Sequence, residues 1–351
     1  MKRLRVGILG ATGTVGQRMI QLLESHPWFE VSAVAASDNS AGKNYAQATR
    51  WMLASPIPEA VSKMTVQSCQ PGLDCDFVLS GLPSNIAEET ELQLAKAGLP
   101  VISNASSHRM KGDVPLLIPE INPDHLDALL LQKSRIGSRG FIVTNPNCSA
   151  IGLVFPMAAL DRRFGLEAVH VVTMQALSGA GYPGVASLDI IDNIMPAIDM
   201  CGEDRKIETE PLKILGKWRD GAFINAPIRI SAMTHRVNVR DGHLEACSVK
   251  LTDKATRQDV EAAIRDFTSP IDELDLPSAP KPVMHLESHP QRPQPRLDRD
   301  RGKGMAVVVS PISPCGVLDY KFRVLSHNTI RGASGAAILN AELLYRKGLI
   351  G

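Results

Sequence analysis

The chain has 351 residues, 44% of them hydrophobic and 21% charged, with a formal net charge of +1. That length exceeds the size at which one hydrophobic core usually stops growing, so two domains are expected. The balanced charge gives no electrostatic footprint for nucleic acid or an anionic membrane, and no run approaches the roughly 18 apolar residues that span a bilayer.

Residues 3–10 (RLRVGILG) read as a strand, and the chain enters it directly from Met-Lys-Arg, without the apolar core of a signal peptide; a cytoplasmic location is expected. A glycine turn follows, then a helix-period segment at 15–25 with apolar Val15, Met19, Ile20, Leu22 and Leu23. Further strands are read at 29–36, 75–82, 100–104 and 140–145, with a helical pattern at 87–97. Strands alternating with helices in this way argue for a parallel sheet covered on both faces. At Cys148 a turn hands over to an amphipathic helix, and beyond it the texture changes. Segments 167–177, 229–240, 243–252 and 305–310 read as strands, two of them separated by Asp241-Gly242, a hairpin signal. A mostly antiparallel sheet with helices on one face is expected. The proline- and charge-rich stretch 275–303 reads as an extended surface arm, and 329–349 as a final amphipathic helix returning to the first domain.

Two features carry chemistry. The turn Gly7-Ile8-Leu9-Gly10-Ala11-Thr12-Gly13-Thr14-Val15-Gly16 lies between a strand and a helix, where glycines let the backbone approach a pyrophosphate and helix N–H groups bind it. Gly10, Thr12, Gly13, Thr14 and Val15 are the cofactor candidates there. Past the second strand, the small hydroxyls Ser37 and Ser40 leave room for a ribose 2′-phosphate, whereas Asp38 favours a bare hydroxyl; NADP(H) is preferred on balance. The second feature is Cys148 in NPNCSA (145–150). A thiol at a helix N-terminus is drawn toward thiolate by the helix dipole, which makes a nucleophile near neutral pH. The other five cysteines lack that setting; with no CxxC and no zinc spacing they fit a reducing compartment, and no metal is expected. A dinucleotide site joined to an activated thiol narrows the chemistry to attack on an acyl carbon or aldehyde with hydride exchange. His243, just past Asp241-Gly242, is the best-placed acid/base, and the hairpin brings Arg236 toward it.

With these motifs in order, the chain resembles aspartate-semialdehyde dehydrogenase, in particular its archaeal and fungal branch. The carriers are GATGTVG (10–16), SNASSHRM (103–110), NPNCSA, QALSGAGYPG (175–184), GEDRKIETEPLKILG (202–216), RVNVRDGH (236–243), RPQPRLDRDRGKGM (292–305) and SHNTIRGASGAA (326–337). The resemblance implies Cys148 as nucleophile, His243 as acid/base and Gln175 as a positioning group, acting on β-aspartyl phosphate to give aspartate semialdehyde and phosphate. It assigns Arg236 to the substrate α-carboxylate, Glu203 to its ammonium, and Lys206 with Arg109 to the phosphate. The Cys148 N–H and the Asn147 side chain are oxyanion candidates. Gly81, Ser178, Gly179 and Asn328 are implied as further cofactor contacts. Asn238 departs from the family's proline without removing a chemical group.

The expected fold is α/β: a Rossmann-type parallel sheet formed by 1–147 with 326–351, and an α+β catalytic and dimerisation domain, 148–325. A homodimer or homotetramer is implied, with the small-molecule substrate as partner and neither nucleic acid nor membrane. Malonyl-CoA reductase and N-acetylglutamyl-phosphate reductase share the plan; Glu203 discriminates, since only a free ammonium needs an anion. A redox-sensing dinucleotide-binding protein is the non-enzymatic alternative.

Overall fold

The computed structural model describes residues 3–351. Strands β1 (Leu4–Leu9), β2 (Phe29–Ala36), β3 (Gln67–Ser68), β4 (Phe77–Ser80), β5 (Val101–Ser103) and β6 (Ile142–Thr144) form one sheet in the order β3-β2-β1-β4-β5-β6. All its pairings are parallel. β4, β5 and β6 are buried at every residue, the pattern of strands covered on both faces. The helices of this half are α1 (Thr14–Leu23), α2 (Tyr45–Ala48), α3 (Glu59–Ser62), α4 (Ser84–Lys96) and α5 (Ala128–Ile136). Strand order reverses between β1 and β4, and a ligand crevice is expected outside the carboxyl ends there. Gly10 and Gly81 meet at that point.

The second sheet is built around β7 (Leu166–Gln175). Its other strands are β8 (Met195–Pro196), β11 (Arg229–Arg236), β12 (His243–Leu251), β13 (Met284–Leu286), β14 (Val307–Val309), β15 (Ser313–Pro314) and β16 (Tyr320–Ser326), while β9 (Lys217–Arg219) and β10 (Ala222–Ile224) form a separate hairpin. The order is β13-β14-β16-β12-β7-β11-β8, with β15 on β16. Most pairs are antiparallel, but β11 runs parallel to β7 and β13 parallel to β14. The hairpin expected at Asp241-Gly242 does not form: β7 inserts between β11 and β12, parallel to one and antiparallel to the other. Residues 237–242 therefore cross over the end of β7, and Leu177 N–H and Ser178 N–H donate to the carbonyls of Val239 and Arg240.

Helices α6 (Ala150–Phe164), α7 (Ser187–Ile190), α8 (Gly202–Ile214), α9 (Arg257–Arg265) and α10 (Pro295–Asp298) belong to this half. α6 is not amphipathic over its first three turns. Ala150 to Leu160 are all buried, because α6 is enclosed by the sheet, α8, α9 and the 330–334 segment. The tail is likewise buried on all sides: a π-helical turn, Ile330–Ser334, leads into α11 (Gly335–Arg346), whose residues from Gly335 to Leu344 are buried. Ile338, Leu339 and Leu343 share a core with Val6, Ile8 and Leu79 of the first sheet. The 275–303 stretch does not extend away from the body. It supplies β13 to the sheet edge, buries Val283 and Met284, and is tied back by Arg299, which donates to the Asp241 carbonyl at 3.0 Å. Among the described residues no helix is long and apolar enough to cross a membrane.

Candidate active site

The turn that carries Cys148 is organised by Asn147. Its Oδ1 accepts the N–H groups of Ser149 (2.9 Å) and Ala150 (3.2 Å), capping α6, and its Nδ2 donates to Glu203 Oε1 at 2.7 Å. The amide expected as an oxyanion donor is thus engaged with Glu203. Cys148, partly exposed beyond the cap, places Sγ 3.2 Å from His243 Nε2 at the start of β12. On the other side of the ring, Nδ1 accepts the Ala176 N–H at 3.0 Å. A neutral imidazole that accepts at Nδ1 carries its proton on Nε2, so the N–H faces the sulfur. Burial and the charge of Arg236 push the His243 pKa well down, which keeps the ring neutral.

The expected thiolate is corrected by the structure. Burial, reinforced by the Glu203 carboxylate, pushes the Cys148 thiol up to about 12, against the pull of Arg109 and Arg236.

Around this pair the chain gathers the other expected residues. Arg236, at the end of β11, donates through Nη1 to the Ala176 carbonyl at 2.8 Å. Gly179 packs where a Cβ would stand 2.7 Å from Arg236 Nη1 and 3.1 Å from His243 Nε2, so both side chains converge only because that position lacks one. Gln175 Nε2 lies 3.4 Å from Glu203 Oε1. Lys206, one turn after Glu203 on α8, donates to Glu203 Oε2 at 3.1 Å. Arg109 enters from the 104–114 loop of the first half and pairs with Glu210 Oε1 at 2.9 Å.

On the cofactor side, Gly10 adopts φ +70°, and a Cβ there would lie 2.8 Å from the Gly81 carbonyl. Gly13 is the N-cap of α1, followed by Thr14 and Val15. Thr14 and Ser178 line a cleft of about 290 Å³ between the two halves, with Arg18, Leu53, Tyr182 and Arg240. Asn328 accepts the Gly242 N–H at 2.8 Å and donates to Ser178 Oγ at 2.8 Å, so it holds the cleft wall. Ser37 is exposed and Ser40 half-buried on the turn beyond β2, outside the lining of this cleft.

Family models match both halves. The semialdehyde dehydrogenase NAD binding domain covers residues 5–129, and the semialdehyde dehydrogenase dimerisation domain covers 157–331. The aspartate-semialdehyde dehydrogenase of Archaeoglobus fulgidus is 47% identical, across 99% of this chain and 100% of its own. The chain belongs to the aspartate-semialdehyde dehydrogenase family. The member from Aspergillus fumigatus is 44% identical across 99% of this chain and 98% of its own. The crystal structure of the Candida albicans enzyme with NADP superposes with a TM-score of 0.91 at 42% identity, covering 99% of this chain and 100% of that one.

Against this family background, the residues that sequence reasoning missed are Glu210 and Lys213 on α8 and the cleft residues Arg18 and Arg240. Glu210 Oε2 accepts the Asn147 N–H at 2.5 Å while its other oxygen holds Arg109. The signal for the first two was present: Glu203-x-x-Lys206 recurs seven residues on as Glu210-x-x-Lys213, a spacing that keeps all four on one face of a helix.

Proposed function

We propose that this chain catalyses the NADP-dependent reductive dephosphorylation of β-aspartyl phosphate to aspartate semialdehyde through a Cys148 thioester, in biosynthesis of the aspartate-family amino acids lysine, threonine and methionine. The observation that carries the reading is the 3.2 Å contact of Cys148 Sγ with His243 Nε2, in a charged cluster where Arg236, Glu203 and Arg109 act on the sulfur and Lys206 is bonded to Glu203. Arg236 meets the α-carboxylate, for which a guanidinium is the geometric match. Glu203 meets the α-ammonium, and Lys206 with Arg109 meets the phosphate. Malonyl and N-acetylated substrates offer Glu203 no cation, and no feature of the site favours them.

The sulfur attacks the acyl carbon, the carbon–oxygen bond to phosphate breaks, and the thiol proton leaves with the phosphate. As the thiol proton departs, the Nε2–H of His243 stabilises the negative charge on sulfur, and when the carbon–sulfur bond breaks to release the aldehyde the same N–H holds the departing thiolate until a proton from solvent restores the thiol. The Cys148 N–H is the oxyanion donor in this reading, with Gln175 placing the acyl group. The cradle at Gly10, Thr12, Gly13, Thr14 and Val15, beside Gly81, fits a dinucleotide, since α1 opens at Gly13 with no side-chain cap on its first N–H groups. NADPH, when bound, supplies the hydride. Ser178 and Gly179 border it from the second half, Asn328 holds that border, and Ser37 and Ser40 take the 2′-phosphate; the NADP in the Candida albicans relative supports this choice.

The reading divides the chain into a cofactor unit, 1–147 with 326–351, and a catalytic and dimerisation unit, 148–325. It places the chain in the cytoplasm as a homodimer or homotetramer, supported by six free cysteines and the match to a dimerisation domain. The test is phosphate-dependent NADP reduction with aspartate semialdehyde. Turnover that disappears in Cys148→Ser supports the assignment. No turnover with this aldehyde but activity on malonyl-CoA overturns it, as does cofactor binding without turnover on any acyl substrate.

A further inference from the structure

We infer that Lys213 is a positioning residue for phosphate recognition: its ammonium pins the 104–114 loop to α8 so that Arg109 stands at a fixed place beside Cys148. The inference deepens the reading of Arg109 as a phosphate-holding group and rests on it.

The Lys213 side chain is 3% exposed, and its Nζ donates to three backbone carbonyls, those of Arg109 (2.7 Å), Lys111 (2.8 Å) and Val114 (2.8 Å). Burial pulls the Lys213 ammonium down to about 7, against the Asp113 and Glu210 carboxylates that favour its charge; the protonated form has three N–H groups, and here each has a carbonyl acceptor. The converse matters more: three carbonyl dipoles aimed at one buried point repel one another unless a cation stands between them. The remaining side is closed by the Phe223 ring, 4.4 Å from Nζ to its centroid, and that ring is backed by Trp218 at 4.6 Å and His125 at 5.0 Å. The ammonium is therefore an internal clamp for the loop.

The clamp belongs to the catalytic geometry because of what else α8 holds. Glu210, three residues earlier, grips Arg109 Nη1 with one oxygen and the Asn147 N–H, next to the nucleophile, with the other. Glu203 grips the Asn147 side chain. One helix face thus fixes both the phosphate loop and the nucleophile turn, and sets their separation. Arg109 has one further tie, Nη2 to the Asn104 carbonyl at 2.6 Å, which lies within the same loop and cannot register it against Cys148. A loop free to move no longer holds the Arg109 guanidinium ready for the phosphate, so the loss falls on phosphate binding, whereas phosphate that does bind can still draw the arginine into place.

The test uses the full-length enzyme assayed with aspartate semialdehyde, NADP and varied phosphate, for wild type, Lys213→Met, Arg109→Ala and the double variant. Lys213→Gln, which keeps two N–H donors without the charge, replaces Lys213→Met if that variant does not fold. We expect the phosphate KM to rise roughly tenfold in Lys213→Met, with aldehyde KM and kcat at saturating phosphate within about threefold of wild type. The double variant should be no worse for phosphate than Arg109→Ala alone, since the lysine acts through the arginine. Amide hydrogen exchange should accelerate in 104–114 and nowhere else. An unchanged phosphate KM, equal losses in all parameters, or additive effects in the double variant would overturn the inference. Should Arg109→Ala itself leave phosphate KM unchanged, the Arg109 assignment fails, and the exchange rates still decide whether Lys213 anchors the loop.

Discussion

At Cys148, a thiol held up to about 12 by burial and Glu203 faces a histidine that offers it a proton and not a base. Alkylation by iodoacetamide in the absence of substrate should accordingly be slow at neutral pH and rise about tenfold per pH unit from 7 to 9, following the thiolate fraction. A rate already level near pH 7 would contradict the assignment. Glu203 separates two effects that point in opposite directions. Glu203→Gln removes the negative charge that raises the thiol, so alkylation at pH 8 should accelerate, while the KM for aspartate semialdehyde should rise by roughly tenfold or more as the ammonium loses its partner. His243→Asn should lower kcat by about 10²- to 10³-fold, the usual loss when a donor to developing charge is removed, with a smaller change in KM. Cys148, His243 and their charged neighbours were legible in the sequence as residue types. The resting state of the sulfur was not, because it depends on Glu203 and on burial brought by distant segments.

At the scale of elements, α4 carries a second buried carboxyl that gives the fold a pH signature. Glu91 is fully buried and accepts the Ser103 hydroxyl at 2.7 Å, and burial raises its pKa from 4.5 to about 7. A folded-state value above the unfolded one means the native state holds the extra proton. The contribution is therefore complete below pH 4.5 and is lost as pH rises toward 7, at most about 3 kcal/mol over that window. Urea melts of Glu91→Gln should lack this downward slope between pH 4.5 and 7, and an identical slope in wild type and variant would refute the cause. α9 is the contrasting case, with Thr256 and Asp259 forming a reciprocal capping box on a surface helix. Thr256→Ala should lower stability by about 1 kcal/mol and leave kcat/KM unchanged. Elements with strong local signals were readable: the strand runs, the glycine turn and the helix starts. The hairpin expectation failed at β11 and β12 because Asp241-Gly242 is a local turn signal, whereas the insertion of β7 is a long-range pairing that no neighbouring residue encodes.

For the whole molecule, a buried ion pair lies where the two halves meet. Arg331, fully buried in the π-helical turn, pairs with Glu120 Oε1 at 2.6 Å, donates to the Met305 carbonyl at 2.7 Å, and lies 4.7 Å from the Phe155 ring centroid of α6. Glu120 comes from the first half and Phe155 from the second, so this one side chain touches both. Arg331→Met strands a buried carboxylate and should cost about 3–5 kcal/mol in thermal or urea unfolding, whereas Glu120→Gln combined with Arg331→Met should recover part of it. A single variant within about 0.5 kcal/mol of wild type would show that the joint lies elsewhere. Sequence reading reached two sheets and the returning tail but took α6 and α11 for amphipathic helices; buried residues run around the full circumference of both because both are enclosed at this junction. The thioester itself is the most direct test. Wild-type enzyme mixed with β-aspartyl phosphate without NADPH, quenched in acid and mapped by mass spectrometry, should carry a single aspartyl group on Cys148, with one phosphate released per adduct. An unmodified Cys148 after phosphate release, or the acyl group on another residue, would contradict the proposed chemistry.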